Sequence, residues 1–416
     1  MLYLYTLQLE KLEKKGYKLC MNQIKPMLLT TLKSYDRSQF VKDVTAGIIV
    51  AIIALPLSIA LALASGVGPQ AGIFTAIVAG FVISAFGGSS VQIAGPTAAF
   101  ATIVAGIVAK DGLDGLVIST ILAGIFLILM GLCHFGSLIK FIPYTITTGF
   151  TSGIAVTIVI GQLKDFFGVT YPNGLKPIET MEKLNAFALG FSSFHVDALI
   201  VGGVSLAILI ISPYIFKRIP GSLIAVVIGI LMVKFLPLHV STIGNLYTIT
   251  NDLPSFHIPA VKFSMVKSAI PNAFTIAVLA AIESLLSCVV ADGMINSKHR
   301  SDTELVAQGL GNIASALFGG IPATGAIART AANIKNGGRT PVAGMVHSIT
   351  LVIVLVVLMP FAGMIPMPTI AAILFVVAYN MCQWRTFVHM LKTAPKSDII
   401  VLIVTFILTV VFDLVV

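Results

Sequence analysis

In this 416-residue sequence, two ionisable residues inside apolar segments, one acidic and one basic, are the strongest candidates for functional groups. Glu283 is the only carboxylate in the middle of a predicted membrane span, and Arg329 is the only basic residue inside one, away from its ends. A charged side chain at the centre of a bilayer costs at least about 2.5 kcal/mol, so it usually marks a functional site. Glu283 could exchange a proton, or bind a cation together with Ser287, one helical turn later on the same face. The structural alternatives are a neutral Glu283 that only packs, and an Arg329 paired with Glu283 or with a backbone carbonyl.

Two segments of small residues resemble each other: AGPTAAFATIVAG at 94–106 and GGIPATGAIARTAAN at 319–333. Each has a proline near its start with a threonine close behind, which predicts a helix that begins in the middle of the membrane. The free N–H groups and partial positive charge of such a helix start favour an anion. Thr97 and Thr324 are placed where a hydroxyl could donate to that anion. The structural alternative is that small residues only let helices pack closely.

These segments also indicate an internal repeat, whose two copies align at Pro96 and Pro322. The interval from Leu57 to Pro96 equals the interval from Glu283 to Pro322, and Leu57 and Glu283 both fall in the middle of a predicted span. Arg329 lies two turns beyond Pro322 in the second half-helix, where its charge would lie behind a bound anion. An odd number of helices per repeat would invert the second copy. Paired interrupted helices of this kind predict a transporter's substrate site.

The composition predicts an all-α polytopic membrane protein: 57% of residues are hydrophobic and only 10% are charged. Mean hydropathy is +1.01. These values exclude a soluble enzyme, a nucleic-acid binder and a secreted disulfide scaffold. No nucleotide-binding motif is present, so neither an enzyme nor a cofactor is predicted. His347 lies within a span and is expected to hydrogen-bond a neighbouring helix. Neither a metal site nor a disulfide framework is predicted from four scattered cysteines, Cys20, Cys133, Cys288 and Cys382.

Thirteen crossings are predicted from apolar length. Three are short and interrupted by Gly or Pro, namely 92–108, 304–318 and 321–334. The other ten are 44–64, 71–88, 113–134, 142–162, 196–216, 219–236, 270–290, 341–360, 366–382 and 398–415.

The loop charges predict a cytoplasmic N-terminus. Eight of the 26 Lys and Arg residues precede residue 43. With the N-terminus inside, 18 of these cations lie on the inner side and seven on the outer side, as the positive-inside rule requires. The net charge of +9 is therefore explained by cations that orient the protein in the plasma or inner membrane, and it does not indicate binding to nucleic acid.

Four stretches resemble the sulfate-permease (SulP) family of anion transporters, and the similarity runs from about residue 38 to the end. They are DVTAGIIVAIIALPLSIALALASGVGP (43–69), GGSSVQIAGPTAAFA (87–101), AAIESLLSCVVADGM (280–294) and NIASALFGGIPATGAIARTAANIKNGGRTPVAGMVH (312–347).

The resemblance implies a seven-plus-seven inverted repeat in which a core domain moves against a gate domain. It also implies a possible homodimer. The family's last transmembrane helix and its STAS domain are expected to be missing. The implied division is a cytoplasmic segment 1–43, core helices 1–4 at 44–135, gate helices 5–7 at 136–269, core helices 8–11 at 270–362, and a partial gate domain, helices 12–13, at 363–416.

The resemblance further implies an anion site between the starts of helices 3 and 10, with Glu283 and Ser287 as the coupling pair. Sodium-linked bicarbonate members tend to carry Asp at the acid and a hydroxyl where this chain has Ile327. This departure favours a proton over sodium. The predicted substrate-binding residues are Leu57, Leu61, Gly95, Thr97, Ala98, Thr324, Gly325, Ala326, Ala328 and Arg329.

The predicted function is secondary active transport of a small inorganic anion such as sulfate, by alternating access, with Glu283 carrying a co-transported proton. Sodium-coupled transport of bicarbonate or a dicarboxylate, and an anion channel of the same fold, are alternatives. A nucleobase or ascorbate carrier is disfavoured because Leu57, Leu61 and Ala328 offer no hydrogen-bonding side chains. A regulatory or electromotile membrane protein without transport is the remaining alternative.

Overall fold

The structure is a computed structural model that describes residues 24–137, 143–172, 175, 177–216, 220–250, 252–259 and 263–411. Positions 1–23, Cys20 among them, and positions 412–416, where the final predicted span ends, lie outside the described residues. So do five of the loop cations used to predict the orientation, namely Lys140, Lys176, Lys217, Arg218 and Lys262.

The described residues include sixteen α-helices, three 3-10 helices (Leu32–Ser34, Ala98–Phe100 and Phe191–Ser193) and two short strands, β1 (Ala94–Gly95) and β2 (Thr324–Gly325). The helices are α1 Leu28–Thr31, α2 Arg37–Ala64, α3 Pro69–Phe86, α4 Ala101–Leu132, α5 Tyr144–Phe167, α6 Thr180–Gly190, α7 Val196–Ile215, α8 Gly221–Phe235, α9 Ile243–Leu246, α10 Phe263–Ile295, α11 Ser301–Leu317, α12 Ile327–Lys335, α13 Val342–Ala362, α14 Met367–Cys382, α15 Trp384–Thr393 and α16 Lys396–Val411.

Eight helices among the described residues are long and apolar enough to cross a membrane. One of them, α4, holds two predicted crossings, which are separated at Gly112, whose φ of 72° and ψ of −172° interrupt the helix. A glycine tolerates this positive φ because it has no Cβ. The predicted interruption of 304–318 is wrong, because α11 is continuous through Gly309. That glycine instead permits close packing on α4, where a Cβ would meet the carbonyl oxygen of Gly124.

The two halves of the chain repeat with the spacing that the prolines predict. Helix α4 begins at Ala101 and helix α12 at Ile327, so the interval between the two starts equals the interval between Pro96 and Pro322. The strands β1 and β2 pair antiparallel, with Ala94 opposite Gly325 and Gly95 opposite Thr324. The two repeats therefore meet through backbone hydrogen bonds at the centre of the bundle. The sequence analysis did not predict this strand pair, whose partners are distant in the chain.

The long helices form two groups. Helices α2, α3 and α4 pack against α10, α11, α12 and α13, whereas α5, α7, α8, α14 and α16 pack mainly with one another. The groups meet where α2 contacts α8 and α14, and where α4 contacts α5. The space between the groups holds the candidate site.

A buried carboxylate fastens the start of α2 to the loop before α13. Asp43 accepts hydrogen bonds from Tyr35 (3.0 Å), Gln39 (2.9 Å) and the Thr340 hydroxyl (2.6 Å). Burial, with the hydrogen bond to Asp43, raises the pKa of Tyr35 to about 12, so the phenol remains a donor at neutral pH. Helix α2 accordingly begins at Arg37, earlier than the predicted span at 44–64.

Candidate anion-binding site

The chain is extended before both half-helices, and a single 3-10 turn, Ala98–Phe100, connects the first extended segment to α4. Thr97 has φ −126° and ψ 157°, and Ala326 has φ −99° and ψ 111°. The prediction that each proline lies in the first helical turn is wrong for both prolines, because Pro96 precedes the start of α4, and Pro322 the start of α12, by five residues. Arg329 is consequently the third residue of α12 rather than two turns into it. The reason is the β1–β2 pair, which engages the intervening backbone in an extended conformation.

Side chains of α12 hold the extended segment of the first repeat. Thr330 accepts a hydrogen bond from the backbone N–H of Ile93 at 3.0 Å. Asn333 donates from its amide to the carbonyl oxygen of Val91 at 2.9 Å. The second half-helix therefore positions the start of the first.

A second carboxylate, Glu304 at the start of α11, is fully buried beside this segment. It accepts from the backbone N–H groups of Gly88 (2.9 Å) and Ser89 (3.1 Å) and from the side-chain amides of Gln92 and Gln308 (both 2.9 Å). Four donors around one carboxylate stabilise its charged form. No role is predicted for Glu304 from the sequence, because it stands at the edge of the predicted segment 304–318.

The extended segment of the second repeat is held in the same manner. The Asn312 side chain pairs with both backbone groups of Ala323, accepting from its N–H at 2.8 Å and donating to its carbonyl at 2.9 Å. Thr75 of α3 accepts from the N–H of Ile321 at 2.7 Å. Buried polar side chains thus replace the hydrogen bonds that an ordinary helix or sheet would supply to these extended segments.

A cavity of about 320 Å³ lies between the two helix groups, where the half-helices begin. Glu283 and eight of the ten predicted substrate-binding residues line it, namely Leu57, Leu61, Thr97, Ala98, Gly325, Ala326, Ala328 and Arg329. Pocket volumes of a few hundred Å³ accommodate small molecules.

Arg329 supplies the positive charge of this cavity. Its side chain is buried, and its Nη2 donates to the carbonyl oxygen of Pro96. The Nε and Nη1 groups have no hydrogen-bond partner within the described part of the chain. No carboxylate lies within ion-pair distance of Arg329 among these residues. The guanidinium therefore keeps two donor groups and a charge without a partner among the described residues, which is the chemistry that an anion requires.

Gly95 does not line the cavity, but it makes room for Arg329. A Cβ at Gly95 would collide with the Arg329 guanidinium. The glycine therefore acts through the arginine, and only a residue without a side chain permits this close approach.

Glu283 faces the cavity from α10. Its Oε2 accepts a hydrogen bond of 3.0 Å from the Thr97 hydroxyl. The alternative of an Arg329–Glu283 pair is not observed among the described ion pairs, whereas the alternative of an arginine bonded to a backbone carbonyl is. Thr97 consequently donates to Glu283, and not to an anion, in this conformation.

Besides Gly95, the structure places two further predicted residues, Thr324 and Ser287, away from the cavity. The Thr324 hydroxyl donates to the carbonyl of Ala280 at 3.2 Å and lies 2.5 Å from the hydroxyl of Ser284. Ser287 donates to the Thr330 hydroxyl at 3.4 Å and is also buried. The described residues include no cluster of three or more His, Cys, Asp or Glu side chains that could hold a metal ion.

His347 does not behave as expected. It is fully buried in α13, yet neither ring nitrogen has a hydrogen-bond partner among the described residues. The expected bond to a neighbouring helix is therefore absent there.

The opposite wall of the cavity is polar, which the sequence analysis missed. Its polar side chains come from α5 and from the end of α14, namely Tyr144, Thr147, Thr148, Thr151, Asn380 and Gln383. Val377 and Met381 of α14 also line it. The Thr147 and Thr151 hydroxyls donate to carbonyls of their own helix, both at 2.9 Å, and therefore present lone pairs to other donors. The run TITTGFTSG at 145–153 was the available signal, because hydroxyls recur there at helical spacing.

A multi-pass helical bundle with two inverted halves and a central cavity between half-helices is the architecture of a secondary transporter. The chain belongs to the sulfate permease family, whose profile matches residues 40–405. Members of this family transport anions.

Two curated relatives extend this finding. The chain is 43% identical over 390 residues to "Putative sulfate transporter YvdB" of Bacillus subtilis (strain 168), covering 92% of this chain and 72% of that protein. It is 33% identical over 385 residues to "Bicarbonate transporter BicA" of Picosynechococcus sp., covering 90% of this chain and 67% of that protein.

Solved structures show the same fold. The transmembrane domain of a cyanobacterial bicarbonate transporter BicA matches with a TM-score of 0.81 and 29% identity, over 92% of this chain and 98% of that one. The structure of SLC26A9 matches with a TM-score of 0.84 over 97% of this chain and 67% of that one. Its identity of 19% makes it evidence for the fold alone. The predicted inverted-repeat fold is confirmed.

Proposed function

We propose that this protein is a secondary active transporter of a small inorganic anion such as sulfate, working by alternating access. The observation that carries the proposal is the buried guanidinium of Arg329, which has two unpartnered donors at a cavity between two half-helix starts. Fixed dipoles and charge in a dry site bind an anion more strongly than they would in water.

The size and chemistry of the cavity support a small substrate. The wall formed by Leu57, Leu61 and Ala328 offers no hydrogen-bonding side chain, which disfavours a nucleobase or ascorbate. Arg329 is the cationic donor among the described residues that line the cavity, whereas the Thr147 and Thr151 hydroxyls donate to carbonyls of their own helix. The relatives named as sulfate and bicarbonate transporters agree with a small oxyanion.

Glu283 is the proposed proton carrier. Its carboxyl faces the cavity and, among the described residues, accepts one side-chain hydrogen bond, from Thr97. Protonation of Glu283 removes a negative charge from the site into which the anion moves, which lowers the cost of carrying the loaded site through the membrane. Coupling to sodium has less support, because the Ser287 hydroxyl is bonded to Thr330 instead of lying at the cavity.

The two helix groups supply the proposed moving parts. Helices α2–α4 and α10–α13 form the core domain that carries the half-helices, and α5, α7, α8, α14 and α16 form the gate domain. The cavity lies between them, so displacement of one group against the other would expose the site to either side. The loop charges support a cytoplasmic N-terminus, in the plasma or inner membrane.

Uptake of radiolabelled sulfate into proteoliposomes tests the proposal. We expect saturable uptake that is stimulated by an inward proton gradient and inhibited by unlabelled sulfate. Bicarbonate, a dicarboxylate and chloride, added separately as competitors, identify the preferred anion. Uptake that does not saturate, accompanied by single-channel currents, would instead establish an anion channel.

A further inference from the structure

A short helix, α15 (Trp384–Thr393), joins the long helices α14 and α16. It has ten residues and none of them is buried. From the sequence alone this stretch is expected to be a connecting loop, whose cations indicate only the orientation in the membrane. The proposed transport mechanism gives it no role.

Helix α15 has a basic face and an apolar face. Arg385, His389 and Lys392 recur at intervals of four and three residues, so they share one face. Trp384, Val388 and Leu391 recur at the same intervals on another face, and the helix contains no acidic residue. This division is typical of helices that lie in the plane of a membrane surface.

The surroundings of α15 leave the basic face uncovered. Arg385, His389 and Lys392 are exposed, and none of them forms an ion pair with a carboxylate of the described chain. The charge of Lys396 follows at the start of α16. On the apolar face, Trp384 remains 46% exposed.

The composition and the neighbours of α15 favour a position at the membrane boundary. Within the candidate span Met367–Thr393, the left-handed Gln383 separates α14 from α15, and α16 follows after Pro395. The basic side chains of α15 favour the depth of the lipid headgroups over the hydrocarbon core. The Phe387 ring packs on Phe406 of α16, with ring centroids 5.4 Å apart. By the predicted count of crossings, α15 lies on the same side of the membrane as the N-terminal segment, which is the proposed cytoplasmic side.

We propose that α15 is a binding surface for the headgroups of anionic phospholipids. Arg385 and Lys392 contact the lipid phosphates, while Trp384 and Val388 enter the boundary between headgroups and acyl chains. Charge complementarity selects this occupant: a basic, acid-free helix at headgroup depth attracts an anionic leaflet. Tryptophan is also the side chain most typical of that boundary.

The position of α15 connects this surface to the cavity. Gln383, directly before α15, lines the cavity and has a left-handed φ of 43°. Its side-chain oxygen accepts a hydrogen bond of 3.1 Å from the Tyr144 hydroxyl at the start of α5. Lipid bound to α15 would therefore restrict movement of the backbone at Gln383, where α14 and α15 meet at the cavity wall.

The sequence supplies a reporter for the test, because Trp384 is the only tryptophan among the 416 residues. The protein is reconstituted in phosphatidylcholine vesicles that contain a fixed fraction of phosphatidylglycerol. Two samples of this composition are compared. In one, the phosphatidylglycerol has acyl chains brominated near the headgroup; in the other, an equal amount of the phosphatidylcholine has these brominated chains. Bromine quenches tryptophan only at close range, so the ratio of quenching measures which lipid surrounds α15.

We expect brominated phosphatidylglycerol to quench Trp384 at least twofold more than brominated phosphatidylcholine. The R385Q/K392Q double variant should quench equally in both samples. K298Q/K335Q removes the same charge from two exposed lysines outside α15 and should keep the preference. High salt should weaken the preference by screening. Equal quenching in the unmodified protein, or a preference that survives R385Q/K392Q, would overturn the proposal. Sulfate uptake by the same samples is a separate measurement and does not decide it.

Discussion

The hydroxyl of Thr97 donates a hydrogen bond of 3.0 Å to the carboxylate of Glu283, and this contact joins the two repeats at the cavity wall. Thr97 precedes the first half-helix, whereas Glu283 belongs to α10 of the second repeat. A change in the protonation of Glu283 would therefore directly alter its hydrogen bond with Thr97, at the start of the first half-helix. The proposed proton coupling relies on that contact.

Glu283→Gln should make sulfate uptake insensitive to pH. The amide keeps the size of the side chain and an oxygen that accepts from Thr97, but it cannot exchange a proton. Uptake by the unmodified protein should rise as the external pH falls, because protons then load Glu283. Initial uptake rates across a pH series measure this. Ser287→Ala is the matched control and should retain the pH dependence, and a Glu283→Gln variant with unchanged acid stimulation would refute the proton role.

Arg329→Gln should weaken sulfate binding. A hydrogen bond to a charged partner contributes about 1.5–3 kcal/mol, so we expect the KM for sulfate to rise about 10–100-fold. Lys335→Gln removes a charge from the exposed end of the same helix and should leave KM close to that of the unmodified protein. Normal KM in the Arg329 variant would place the anion elsewhere.

Gly95→Ala should impair transport through Arg329. The added methyl would collide with the guanidinium and displace its unpartnered donors. Gly106→Ala is the control, because a Cβ at Gly106 would meet no atom within 4 Å. Both variants add one methyl to the same repeat, and only Gly95→Ala should lower uptake at equal protein yield. Equal uptake by the two variants would mean that the approach of Gly95 to Arg329 has no functional effect.

Glu304→Gln should destabilise the protein. The carboxylate accepts from four donors, and an amide would turn its NH₂ group toward some of them. Leaving a buried donor unsatisfied costs about 1–3 kcal/mol, so the thermal midpoint in detergent should fall clearly. Glu182→Gln on the exposed helix α6 is the control and should have a small effect. Similar midpoints for the two variants would contradict an anchoring role for Glu304.

The sequence was sufficient for features that depend on local patterns. The spans follow from apolar length, and the repeat follows from the spacing of Pro96 and Pro322, which the starts of α4 and α12 reproduce. The starts themselves were misplaced, since they depend on partners distant in the chain. Asn312 accepts a hydrogen bond from Ala323, 11 residues away in the chain. Thr330 accepts one from Ile93, 237 residues away.

The candidate site was predicted on one side only. The half-helix segments show a recognisable pattern of small residues with a nearby charge, so most of the cavity wall that they form was predicted. The facing wall, with Thr147 and Asn380, is formed only when α5 and α14 pack beside it. Helix α15 escaped prediction because ten residues with a mixed composition resemble a charged loop.

Anomalous diffraction from crystals grown with selenate in place of sulfate tests the central claim most directly. Selenate has the charge and shape of sulfate, and selenium marks its position. We predict one strong anomalous peak in the cavity, within hydrogen-bonding reach of the Arg329 guanidinium and between the starts of α4 and α12. A bound selenate found elsewhere in the protein, with this cavity empty at saturating selenate, would contradict the account.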